Sequence, residues 1–128
     1  MRIGLSSVMV DDQAKALKFY TEKLGFVKKA DVPVGEYRWL TLISPEGPES
    51  VELVLEPMAF LPARNYQKAL YDAGIPLTAF FSRDIQDEVT RLKKRGVEFR
   101  GEPAKMGPIT AVLFEDTCGN LIQLVQPA

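Results

Sequence analysis

Residues 10–26 read VDDQAKALKFYTEKLGF, and this stretch sets the architecture of the whole chain. Asp12 precedes apolar positions Ala16, Leu17, Phe19, Tyr20 and Leu24 at helical spacing, so it is placed to cap a helix. Gly25 is placed to end that helix, and Phe26-Val27 begins an apolar strand. The same order returns further along: Asp84, then Glu88, Val89 and Leu92, then Gly96, Val97 and Phe99. The two helix-opening aspartates, Asp12 and Asp84, stand 72 residues apart, so the chain reads as two half-length modules of one motif.

Around these anchors the remaining elements fall into place. Residues 3–10 predict a buried strand, and residues 26–32, 36–44 and 50–56 predict three more, separated by Pro33-Val34-Gly35 and Pro45-Glu46-Gly47-Pro48. Module one (1–56) is therefore β-α-β-β-β. A connector (57–75) carries Pro57 and Pro62 as strand breakers and a short helix through Tyr66, Ala69, Leu70 and Ala73. Module two (76–128) repeats the order with strands at 77–82, 97–101, 109–114 and 121–126 and a helix at 84–95. Met106-Gly107-Pro108 reads as a turn that could serve as a lip. Neither half alone buries enough apolar surface to stand, so the 128 residues are expected to act as one α+β domain.

Composition narrows the chemistry. A net charge of −1 offers no basic field for a phosphate backbone, so no nucleic-acid partner is expected. No apolar run approaches the length of a membrane span and no leader is visible after Met1, so no membrane partner and a cytoplasmic location are expected. The chain has one cysteine, Cys118, and no histidine, which removes Ser-His and Cys-His nucleophile schemes and most zinc, iron and nickel sites.

Three segments carry a family resemblance: V-x-D-D-x-x-x-A-L-x-F-Y-x-x-x-L-G-F over 10–26, R-D-I-x-x-x-x-x-R-L-x-x-R-G-V over 83–97, and D-T-C-G-N-L-I-Q-L-V-Q over 116–126. Together the segments resemble the vicinal oxygen chelate superfamily of glyoxalases, bleomycin-resistance proteins and extradiol dioxygenases. The resemblance implies two βαβββ modules forming an open, barrel-like mixed sheet around a cleft, and a homodimer. It also implies four inward metal-ligand positions, which fall here on Leu5, Glu52, Leu77 and Gln123. Two leucines donate nothing to a cation, so no metal and no cofactor are expected.

Glu52 alternates with Val51 and Leu53 and is the candidate acid-base residue, the alternative being a structural hydrogen bond to Gln123. Ser7 lies near the first ligand position. Arg38 and Trp39 are strand neighbours, so one alone can line the cleft: Trp39 to stack a planar ligand or Arg38 to hold an anion, with Trp39 packed beneath the first helix as the remaining option. The expected ligand-binding set is Leu5, Ser7, Arg38, Trp39, Glu52, Leu77 and Gln123. The reading that follows is a protein that binds a small, partly apolar molecule without a metal. A glyoxalase-like lyase or isomerase with Glu52 as its base, or a dioxygenase, is one alternative, and a non-catalytic scaffold is another.

Overall fold

A computed structural model describes residues 1–128 and divides them into two compact units, Met1–Asn65 and Tyr66–Ala128. In the first unit the chain runs β1 (Leu5–Val10), α1 (Gln13–Lys18), β2 (Val27–Val34), β3 (Tyr37–Ile43) and β4 (Glu52–Pro57). The boundary between units falls inside α2 (Leu61–Asp72). The second unit holds β5 (Thr78–Phe81), α3 (Ile85–Lys94), β6 (Phe99–Met106), β7 (Ile109–Glu115) and β8 (Leu121–Pro127). The strands make two four-stranded sheets with matching orders, β1-β4-β3-β2 and β5-β8-β7-β6. In each, one parallel pair joins the outer strand to its neighbour and the other pairs are antiparallel. Each sheet is open, with no strand pairing that closes it into a barrel.

The repeated caps form as their chemistry requires. Asp12 accepts a hydrogen bond from the Lys15 N–H at 3.0 Å, and Asp84 accepts one from the Asp87 N–H at 3.1 Å. Gly25 and Gly96 close the two helices at φ 87° and 88°, a left-handed conformation that a side chain would oppose. The first helix does not stay regular to its end. Over Phe19–Lys23 it widens to a π-helical turn, with Leu24 N–H donating to the Phe19 carbonyl at 3.2 Å. Tyr20 and Ala16 bury fully from this helix, and Val8, Val10, Leu40, Leu42 and Leu55 bury fully on the sheet. Each of the valine and leucine side chains contributes about 1.5–3 kcal/mol relative to exposure.

Several boundaries differ from the sequence reading. Pro33 lies inside β2, paired with Arg38, rather than in a turn, because β2 is an edge strand and a missing N–H costs no ladder bond there. The turn is instead the two residues Gly35-Glu36, with Gly35 at φ 60°. Gly107-Pro108 makes the equivalent turn between β6 and β7, with Gly107 at φ 62°, a geometry suited to a tight hairpin. Helix α2 starts at Leu61, since Pro62 is tolerated in a first helical turn.

The turn between β7 and β8 is built around a buried carboxylate. Asp116 accepts from the Cys118 N–H at 2.8 Å, the Asn120 N–H at 3.0 Å and the Asn120 amide at 2.7 Å. From α2, the buried Gln67 amide donates to the Cys118 carbonyl at 3.1 Å and the Asn120 side-chain oxygen at 3.0 Å. Cys118 itself is fully buried, which removes it from consideration as an accessible thiol. Exposed Thr117 sits at φ 62°, an unfavourable conformation for a β-branched residue. Thr117→Asn is expected to raise stability by about 0.5–1 kcal/mol, since Asn tolerates this region. Calorimetry reads the outcome as a melting temperature a few degrees higher, and an unchanged or lower value would refute it.

Candidate functional site

Side chains alternate along each strand, so pairing register assigns every residue of the first sheet to a face. Leu5 pairs with Glu52, Ser7 with Val54, Met9 with Glu56, Thr41 with Val54 and Val32 with Trp39. Leu5, Ser7, Trp39 and Glu52 therefore share one face with Thr41, Met9, Val32 and Glu56. The opposite face carries Val8, Val10, Leu40, Leu42 and Leu55, buried on the side of α1. Arg38 belongs to this second face. There its guanidinium pairs with Asp31 at 2.7 and 2.9 Å and holds the Asp31 carboxyl down at about 2. Trp39 is not packed beneath the first helix: it is 41% exposed on the face of Glu52.

Glu52 takes its partners from its own sheet. One oxygen accepts the Thr41 hydroxyl at 2.7 Å, and the other faces the Lys29 ammonium at 4.0 Å. Lys29 reaches it because β2 carries a bulge between Lys28 and Ala30, which turns the extra residue out of the regular alternation. Glu56 lies one strand repeat beyond Val54 on the same face and accepts the Ser7 hydroxyl at 3.3 Å.

In the second sheet, Gln123 pairs with Ala79 and Leu113, and its amide makes no hydrogen bond. Leu77 precedes β5, and its N–H donates to the Leu121 carbonyl at 2.9 Å. The pairing thus puts Leu5 opposite Glu52, but Leu77 two residues before the partner of Gln123. The same face of this sheet bears a cluster that sequence reasoning missed. Tyr71 donates a short hydrogen bond to Glu115, Arg100 donates to the Tyr71 hydroxyl at 3.2 Å, and the Arg100 guanidinium lies 5.2 Å from the Tyr71 ring centre. The Glu115 carboxylate pushes the Tyr71 pKa up, with burial adding to it. These residues come from α2, β6 and β7, and no sequence spacing announces their meeting.

Gln13, on the first turn of α1, was also missed. Its buried amide donates to the Arg38 carbonyl at 2.7 Å and the Leu55 carbonyl at 2.9 Å, and its oxygen accepts the Arg38 N–H at 3.0 Å. The ladder between β3 and β4 is paired only at Thr41–Val54 and Leu42–Leu53, so this side chain stands in for backbone where the strands part. On the α1 side of the parting a groove of about 600 Å³ opens among Asp12, Gln13, Glu36, Arg38, Met58 and Arg64.

The family's metal does not fit the residues present. Leu5 and Leu77 have no donor atom, Glu52 is engaged by Thr41 and Lys29, and no three of the acidic and cysteine side chains gather into a group able to hold an ion.

Comparison with known proteins agrees with the topology. The family model of the glyoxalase/bleomycin resistance protein/dioxygenase superfamily matches residues 2–124. An uncharacterized protein of Bacillus subtilis (strain 168), YurT, is 54% identical over 126 residues, covering 98% of this chain and 99% of the relative. The crystal structure of UcmS2 superposes with a TM-score of 0.82 at 32% identity, covering 98% of this chain and 97% of that one. TnmS3, an antibiotic binding protein from Streptomyces sp. CB03234, superposes with a TM-score of 0.76 at 32% identity, covering 100% and 97%. The repeated module, the strand order and these matches place the chain in the glyoxalase/bleomycin resistance protein/dioxygenase superfamily.

Proposed function

We propose that the protein binds a small, partly apolar molecule without a metal, on the face of the first sheet that carries Trp39. The observation that carries this reading is an indole 41% exposed on the same face as the Ser7 hydroxyl and the Glu52 and Glu56 carboxylates. A flat apolar surface beside hydrogen-bonding groups suits a planar ligand that bears a few polar substituents. The likeness to TnmS3 over the full chain supports a binding role. Leu5, 45% exposed opposite Glu52, extends the apolar part of the surface.

Trp39 is the only tryptophan, so its emission reports on this face alone. Titration with a panel of hydroxylated polycyclic aromatics is expected to quench it saturably for at least one compound. Trp39→Ala is then expected to weaken that compound's binding about tenfold or more by calorimetry. Saturable binding that leaves Trp39 emission unmoved would remove the ligand from this face. It would favour the 600 Å³ groove on the opposite face, whose volume suits a small molecule.

A further inference from the structure

We infer that the molecule held on this face is a planar aromatic cation, its positive nitrogen lodged between the Trp39 indole and the Glu56 carboxylate; the inference rests on the Trp39 face being the binding surface. The two carboxylates of the face differ in one respect. Glu52 has the Lys29 ammonium 4.0 Å away, whereas half-buried Glu56 has only the Ser7 hydroxyl, at 3.3 Å, and no ion pair. Arg38, next to Trp39 in sequence, does not share the face. Strand alternation sends it to the other side, where Asp31 takes it.

A ligand covering Glu56 strips water from an uncompensated charge, and a neutral or anionic ligand leaves that cost unrecovered. A cation recovers it through a charge-assisted hydrogen bond. The surroundings supply the rest. The Trp39 ring has no aromatic or cationic partner within the chain, and indole is the best ring face for a cation. Val32, its strand partner, is 53% exposed, and Met9 pairs with Glu56, so apolar surface flanks both recognition groups.

The test uses three ligands of one shape on the full chain: 1-naphthylmethylamine, 1-naphthalenemethanol and 1-naphthoate, followed by calorimetry and Trp39 emission at low salt. The amine is expected to bind about tenfold more tightly than the alcohol, with the carboxylate weakest. In Glu56→Gln, which keeps an acceptor for Ser7, the amine's preference over the alcohol should fall to within about twofold. Equal binding of amine and alcohol to the wild-type protein, with Trp39 quenched by both, would overturn the cation inference and leave the binding face standing. A preference that survives Glu56→Gln would overturn it too, since some other group would be its source. Failure of all three ligands to perturb Trp39 would overturn the inference together with the reading of the face.

Discussion

Gly119→Ala is expected to destabilise the protein by about 3 kcal/mol, two contributions adding at one atom. A methyl placed there would lie 2.5 Å from the Gln67 side-chain oxygen, and the backbone at φ 98° opposes any L side chain. Gln67 cannot swing aside cheaply, because its amide is committed to Cys118 and Asn120 inside the protein. Thermal unfolding should show a melting temperature lower by on the order of 10 °C. Removing the obstacle should recover part of the loss: Gln67→Ala is expected to cost less in the Gly119→Ala background than in the wild type. A Gly119→Ala protein within about 1 kcal/mol of wild type would show that the turn yields more easily than its hydrogen bonds suggest.

Gln13→Ala is expected to cost about 2–3 kcal/mol, for a different reason. The substitution strands the N–H and carbonyl of Arg38 and the carbonyl of Leu55. Chemical denaturation should register the loss in midpoint with an unchanged slope. Hydrogen exchange at the Arg38 amide should accelerate well beyond its neighbours in β3. Exchange at Arg38 that matches the wild type would mean the strands close on each other without the side chain.

The modules were legible because their signals are local. Asp12 and Asp84 as caps and Gly25 and Gly96 as stops are each set by a few consecutive residues, and the structure places them as read. Pro33 was misplaced because a proline's meaning depends on whether its strand is an edge, which is a property of the sheet. The side of Trp39 was left open by parity alone, yet Leu40 and Leu42 held the phase. Both bury fully, and Arg38 must share their face while Trp39 takes that of Thr41. Thr41 and Val54 are buried too, so neither face is plainly polar and the contrast that would have settled the matter is muted. Gln13 and the Tyr71–Glu115–Arg100 cluster depend on elements meeting in space, and nothing in their spacing foretells it.

The clasp between helix and sheet shows how far the two copies have drifted. Gln13 and Ile85 are each the first residue of their helix and stand 72 apart, yet only the first carries an amide. In the second copy the amide has moved to the sheet: Gln126 accepts the Ile85 N–H at 2.7 Å. One copy ties helix to strands with a side chain of the helix and the other with a side chain of a strand. A chain rebuilt by repeating the second helix in both places would set an isoleucine where Arg38 and Leu55 need an amide. The halves share a plan but have ceased to be spare parts for one another.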